Sequence, residues 1–331
     1  MRRRLSKRQI ERIQQIQERR RQNAAARADA QLALADGEPR AGTVVSRHGA
    51  NLAVADNRGE VHHCLLRQNL GEVVAGDHVV WHPSGDAGGV VTAVEPRRAL
   101  LTRPNASGHL KPLAANLTQL VVVIAPEPAP SGYLVDQYLA AAELNGLGTI
   151  IAINKSDLLG TVTPEALQRM DRYADIGYPL VTSSTKTADG VKQLEKRLKA
   201  QNSILVGQSG VGKSSLVKAL LPDRDIQVGQ ISQATGLGRH TTTTATLYQL
   251  AGGGTLIDSP GVRSFRLPPM TPMALAEGFR EFHPYLGKCR FSNCSHGGEN
   301  GCALRAAVAA GKVPGWRLES YLHMAERLAS E

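Results

Sequence analysis

A chain of 331 residues exceeds the usual single-domain size, and its 42% apolar content is enough to bury two or three cores. No apolar run approaches the roughly 20 residues of a membrane span, and no apolar signal region follows the charged N-terminus; a cytoplasmic protein with no membrane partner is expected. The formal net charge of +10 is unevenly spread: residues 1–27 hold ten Lys or Arg against Glu11 and Glu18, an electrostatic footprint for a polyanion, most often nucleic acid, although a solvated tail has the same composition.

Residues 5–30 contain no Gly or Pro and space Leu5, Ile10, Ile13 and Ile16 too sparsely to bury a helical face, so a basic arm over 1–37 that becomes helical mainly on a partner is expected. Asp36-Gly37-Glu38-Pro39 ends it. From 38 to 103 the chain reads as five short strands, Ala41–Ser46, Leu52–Ala55, Val61–Leu66, His78–His82 and Val90–Val94, with Asp56-Asn57-Arg58-Gly59 and residues 84–89 as connectors. Five strands in so few residues suit a small nucleic-acid-binding barrel of OB type; an SH3-like barrel fits the same pattern. Over 104–268 apolar strand runs alternate with helical patterns, the texture of an α/β domain with a parallel sheet. Residues 269–331 read as mostly helical around a Cys/His cluster.

The run Ile204-Leu205-Val206 enters Gly207-Gln208-Ser209-Gly210-Val211-Gly212-Lys213-Ser214-Ser215, and a helical pattern follows. That is a strand, a phosphate loop and a helix. Backbone N–H groups of the loop can surround a phosphate chain, Lys213 reaches the outer phosphates, and the Ser214 hydroxyl suits magnesium. Upstream, a strand ends in Asn154-Lys155-Ser156-Asp157, where the carboxylate of Asp157 can accept both hydrogen bonds from the guanine N1–H and amine; adenine offers no such donors. Ser183 and Ser184 end the next strand and can support the base. Downstream, Asp258 at a strand end suits magnesium through water, and the Gly261 N–H can sense a γ-phosphate. Between lies the polar segment 234–244, from which one threonine can complete the magnesium shell; Thr242 is favoured over Thr241 and Thr243.

Cys289-x4-Cys294-x-His296-x5-Cys302 offers three thiolates and an imidazole, enough for a closed and therefore structural zinc shell. Cys64 stands apart and reads as a core residue.

The motif order is base tetrad, base-supporting serines, phosphate loop, switch threonines, then Asp-x-x-Gly. Ras-like GTPases carry the same parts with the phosphate loop first. The chain resembles the circularly permuted GTPases and, through the barrel ahead of them, His240 to Thr243, Asp258-Ser259-Pro260-Gly261 and the Cys/His cluster, the RsgA (YjeQ) family over residues 38–331. That resemblance implies a monomeric GTPase, cycling between GTP and GDP, that binds the 30S ribosomal subunit and its 16S rRNA late in assembly and whose hydrolysis the subunit stimulates. Val262 stands where many GTPases place a water-orienting glutamine, and the family pattern points to His240 as the catalytic side chain instead. A GTP-dependent rRNA-binding scaffold with incidental hydrolysis is the alternative; an ATP-using enzyme sits poorly with Asn154 and Asp157.

Overall fold

The computed structural model describes residues 28, 37–67, 69–84, 88–104, 110–187, 189–235, 245–259 and 267–330. The expected helical arm over residues 5–30 lies outside them, apart from Ala28. The chain forms two compact units: residues up to Arg97 together with Asp223–Leu247, and Arg98–Pro222 together with Tyr248–Glu331.

In the first unit, β1 (Arg40–His48), β2 (Asn51–Ala55), β3 (Val61–Leu66), β4 (His78–Ser84) and β5 (Gly88–Val94) cover all five expected strands. The pairings β1–β2, β2–β3, β4–β5 and β1–β4 are antiparallel and β3–β5 is parallel, which closes a five-stranded barrel in the order of an OB fold. Alternating residues point inward: Val44, Leu52, Val54, Cys64, Val73, Val79, Trp81 and Val91 form its core. Gly89 makes room for the largest of them, since a Cβ there would lie 2.4 Å from the His82 carbonyl oxygen and 2.6 Å from the Trp81 ring. The β2–β3 connector is an Asx turn in which Asp56 Oδ1 accepts from the N–H groups of Arg58 (2.8 Å) and Glu60 (3.0 Å). Burial pushes the Cys64 thiol up to about 12, so it behaves as a small apolar residue. A helix that the sequence pattern does not announce, Arg224–Thr235, lays Ile231 against Val45, Ala53, Ala55 and Val61 of the barrel.

The second unit opens on a hairpin, β6 (Leu100–Pro104) with β7 (Leu110–Ala115), and continues into β8 (Gln119–Ile124), all six residues of which are buried. Full burial on both faces is what a continuous apolar run in a parallel sheet requires. With β9 (Gly148–Ile153), β10 (Leu180–Thr182), β11 (Asn202–Val206) and β13 (Thr255–Asp258), numbered after the short β12 (Thr246–Gln249), it forms a parallel sheet in the order β10-β9-β8-β11-β13. The chain leaves β8 outward to β9 and β10, then returns to β11 on the other side of β8. Strand order therefore reverses between β8 and β11, and ligands of open α/β sheets bind outside the carboxyl ends of strands at such a point. Helices α1 (Gly132–Leu144), α2 (Pro164–Asp175), α3 (Lys192–Leu198) and α4 (Lys213–Leu220) connect or follow these strands.

After α5 (the helix Arg224–Thr235 above), the remaining helices are α6 (Pro272–Ala276), α7 (Ala303–Ala309) and α8 (Gly315–Ser330), with a 3-10 turn over Arg280–Tyr285. Phe279, Phe282 and Tyr321 pack edge-on and stacked at centroid distances of 4.8–5.7 Å. This segment is anchored to α1. Arg317, fully buried, pairs with Asp136 of α1 (Nη1 to Oδ1 2.7 Å) and with Glu281, while Arg280 pairs with Glu143 and stacks 3.8 Å over Tyr178. Gly278 lies against Ala140, where a Cβ would come to 3.0 Å.

Candidate functional site

The phosphate loop joins β11 to α4. Gly207, Gly210 and Gly212 have φ of 143°, 86° and 93°, a region that favours glycine. Two are also sterically pinned: a Cβ on Gly207 would lie 2.2 Å from the Val123 carbonyl oxygen, and one on Gly212 would lie 2.4 Å from Asn154 Nδ2. Ser214 and Ser215 are exposed on the first turn of α4, which carries no acidic residue to compensate its dipole. Lys213 Nζ donates to the carbonyls of Gly207 (2.6 Å) and Gln208 (2.7 Å), so the ammonium is held at the loop. Gln208 Oε1 accepts from the N–H of Ser131, the residue that caps α1, at 3.2 Å, and Tyr138 of α1 lines a small cavity together with Gly207 and Gln208, so α1 supports the loop. Neither Tyr138 nor Ser131 carries a motif signal. An apolar run in a helix beside the sheet was the only available clue.

Asn154 follows β9 and is buried. Its Nδ2 donates to the Val211 carbonyl at 2.8 Å, and its Oδ1 accepts from the Ser183 hydroxyl at 3.3 Å. One side chain therefore ties the base tetrad to the phosphate loop and to the serine loop after β10. Lys155 takes the left-handed conformation (φ 56°) and donates from Nζ to the Glu127 carbonyl at 2.7 Å. The Ser156 N–H donates to the Ser183 carbonyl (3.0 Å), and the Ser184 hydroxyl to Asp157 Oδ1 (2.7 Å). Lys186 stands 3.4 Å from Asp157 Oδ2. The Ser184 hydrogen bond, aided by Lys186, holds the Asp157 carboxyl below its ordinary range, so it is ionised and purely an acceptor near neutral pH. Gly190 makes this turn possible, since a Cβ there would lie 1.8 Å from the Ser184 carbonyl oxygen.

Asp258 closes β13, beside β11 in the sheet. His240, Thr242 and Gly261, with Thr241, Thr243 and Val262, lie outside the described residues.

The second constellation is the Cys/His loop. Cys289, Cys294, His296 and Cys302 bring their ligand atoms within 4.8 Å of one another, and none is in a disulfide. His296 Nδ1 is 3.6 Å from the sulfurs of Cys289 and Cys294 and 3.4 Å from that of Cys302, and the sulfurs of Cys289 and Cys302 are 4.0 Å apart. Tetrahedral zinc with ordinary bond lengths sets S···N at about 3.5 Å and S···S at about 3.8 Å. The group fits, and it can hold a metal ion. Burial keeps the His296 imidazole neutral and ready to donate a lone pair, and pushes the Cys294 thiol up to about 12, a cost that a bound cation would reverse. Cys302 doubles as the N-cap of α7, its sulfur accepting from the Arg305 N–H at 3.5 Å.

Glu299 is the organising residue that spacing alone does not announce. Its carboxylate accepts from the Gly298 N–H (3.0 Å) and from both the N–H and hydroxyl of Ser295 (2.6 Å each), which drives its pKa far below the ordinary carboxylate range. The Tyr321 hydroxyl, at 3.2 Å from the Ser295 carbonyl, fixes the loop to α8.

Comparison with known proteins agrees with this geometry. The RsgA GTPase family model matches residues 94–268. The chain is similar to the small ribosomal subunit biogenesis GTPase RsgA of Hahella chejuensis, 44% identical across 99% of this chain and 97% of that protein, and to that of Chromohalobacter salexigens, 47% identical across 92% and 91%. Among solved structures it is similar to YjeQ from Thermotoga maritima (TM-score 0.73, 34% identity, 89% of this chain and all of that one) and to YloQ, described as a circularly permuted GTPase (TM-score 0.70, 25% identity, 88% and 96%). With the barrel, the permuted order of motifs around β8 and β11, and the Cys/His loop behind them, the chain belongs to the RsgA GTPase family.

Proposed function

We propose that this protein binds GTP, hydrolyses it to GDP and phosphate, and acts on the small (30S) ribosomal subunit during its late maturation, with hydrolysis stimulated by the bound subunit. The observation that carries the reading is the Asn154 to Val211 hydrogen bond, which joins a guanine-selective tetrad and a phosphate loop at one crevice of the sheet. Relatives sharing 44–47% of the sequence are named for small-subunit biogenesis, and that role is carried over to this chain here.

In this reading Asp157 accepts from the guanine N1–H and amine, Asn154, Lys155 and Ser156 form the base wall, and Ser183 and Ser184 brace it. Backbone N–H groups of residues 207–215 cradle the phosphates, and Lys213 exchanges its loop carbonyls for phosphate oxygens. Ser214, Asp258 and Thr242 would hold magnesium, a hard oxygen-ligand set suited to that ion, which when bound offsets phosphate charge. Gly261 senses the γ-phosphate. With Val262 in place of a glutamine, His240 orients the attacking water only when the subunit fixes its position, so the unassisted rate is low. Zinc on Cys289, Cys294, His296 and Cys302 is structural, because four protein ligands leave no open position.

We further assign the chain three working modules behind the basic arm of residues 1–37: a barrel over 38–103, the GTPase over 104–268 and the zinc module over 269–331. The arm and the two flanking modules contact 16S rRNA. The protein works as a monomer in the cytoplasm; no helix among the described residues is long and apolar enough to cross a membrane.

Substituting His240→Ala tests the enzymatic reading against a scaffold. Loss of subunit-stimulated turnover with subunit binding intact is expected. Stimulated turnover that survives unchanged overturns the role of His240, and a protein that binds subunits but never shows stimulation is a scaffold.

A further inference from the structure

The Cys/His loop does more than close on a metal, because its tip between Cys289 and Cys294 presents two side chains that the metal shell does not use. Phe291 is 48% exposed, whereas Phe279 and Phe282 of the same segment are at 0%. The Arg290 guanidinium lies over the Phe291 ring, 5.5 Å from its centroid. A single exposed aromatic needs no explanation by itself. This one is held in place. The Arg290 N–H donates to the Gly301 carbonyl at 3.0 Å, and the Arg290 stem lies so close to Gly301 that a Cβ there would meet Arg290 Cβ at 2.8 Å. Gly301 also has φ of 76°, so both its backbone and its missing side chain serve to seat Arg290.

Along the chain, the charges of this segment are basic but for one. Lys288, Arg290, Arg305 and Lys312 are all exposed, and Glu299 is the one acid between Lys288 and Lys312. Its carboxylate is committed to Ser295 and Gly298 inside the loop. A flat aromatic surface flanked by guanidinium and ammonium groups, fixed at both ends by a metal-binding framework, matches the face of a nucleobase and the phosphates beside it. A paired base has its faces covered by its neighbours; an unpaired one does not.

We infer that the Arg290–Phe291 tip is a contact for an unpaired RNA nucleotide, with Phe291 stacking on the base and Arg290 and Lys288 meeting the flanking phosphates. The inference rests on the proposed action on a ribosomal subunit and names the part of the surface that reads its RNA.

The test compares the full-length parent with Phe291→Ala, Phe291→Trp and Arg290→Gln, after verifying one zinc per chain and unchanged guanine-nucleotide affinity. Binding to purified small subunits is measured with a non-hydrolysable GTP analogue at several salt concentrations. Phe291→Ala is expected to weaken binding about five- to hundredfold, Phe291→Trp to restore it, and Arg290→Gln to lower the salt slope by about one. The emission of Phe291→Trp, taken as the difference from the parent with its Trp81 and Trp316, is expected to be quenched by a short single-stranded RNA and not by duplex RNA. Equal binding by parent and Phe291→Ala overturns the inference. So does binding that depends on Phe291 while the Trp emission ignores RNA, which assigns the tip to a protein partner. If the parent itself fails to bind small subunits, the proposed function falls, and quenching by the short RNA still decides the tip on its own.

Discussion

Asn154 Nδ2 and the Val211 carbonyl oxygen stand 2.8 Å apart, although 57 residues separate them in the chain. The bond makes base recognition and phosphate recognition one rigid unit, because Val211 lies in the middle of the phosphate loop and Asn154 opens the tetrad. Gly212 is the third party: any side chain there would enter the space of the Asn154 amide. Removing the amide with Asn154→Ala leaves a buried carbonyl unpartnered, a cost of about 1–3 kcal/mol. The expected outcome is a ten- to hundredfold loss of GDP affinity, measured with a fluorescent GDP analogue, and Gly212→Ala is expected to lose more.

Asp157 decides the base. Replacing it with Asn removes the double acceptor that guanine needs and supplies an N–H that can donate to the 2-oxo group of xanthine. Asp157→Asn is therefore expected to bind GTP poorly and xanthosine triphosphate well, as read by competition for a fluorescent nucleotide. Because the folded carboxyl of Asp157 is held below its ordinary value, its acceptor form persists as pH falls and is lost only when pH drops through that depressed value. The parent's preference for GDP over ADP, in which the shared diphosphate titration cancels, should accordingly stay flat from pH 8 down to pH 5; a midpoint of that preference inside the window contradicts an ionised, hydrogen-bonded Asp157.

The Cys/His loop should be a stability element. Cys302→Ser removes one ligand while its hydroxyl can still cap α7, so any loss of stability reports the metal site. The expected results are loss of zinc by atomic absorption and a lower unfolding midpoint, with chelator treatment of the parent giving the same shift and of the variant giving none.

Arg317 is buried with Asp136 on one side and Glu281 on the other, while its guanidinium lies 4.3 Å from the Phe279 ring centroid. Truncating Asp136 leaves the buried guanidinium with Glu281 as its remaining carboxylate and one N–H unpartnered. Asp136→Ala is expected to destabilise the second unit by about 1–3 kcal/mol, read by chemical denaturation. Arg317→Met, which removes the cation and keeps apolar volume, leaves the Asp136 carboxyl, which burial already pushes above its ordinary range, without its countercharge, so stability is expected to fall as pH rises from 5 to 8.

Much of this architecture was legible in the sequence because its signals are local. The five barrel strands alternate, the strands β8, β9 and β11 are continuous apolar runs ending in motif residues, and the Cys/His spacing falls within one loop. The OB order, against the SH3-like alternative, required the parallel β3–β5 pair, a long-range contact with no local signature. Helix α5 escaped because Arg224–Thr235 has polar and apolar residues scattered round the helix, with Gly229 inside it, and its packing through Ile231 is on the distant barrel. The β6–β7 hairpin escaped because Pro104 and Pro112 break the strand pattern. At the site, motif residues could be named in advance, whereas Tyr138, Gln208 as a partner of Ser131, Glu299 and Arg317 owe their roles to distant partners.

The most direct measurement is phosphate release from GTP and from ATP by the purified protein, alone and with equal concentrations of small subunits, large subunits or an unrelated structured RNA. Slow turnover of GTP alone, strong stimulation by small subunits only, and no turnover of ATP are expected. Equal stimulation by every RNA, or ATP turned over as well as GTP, would contradict the proposed function.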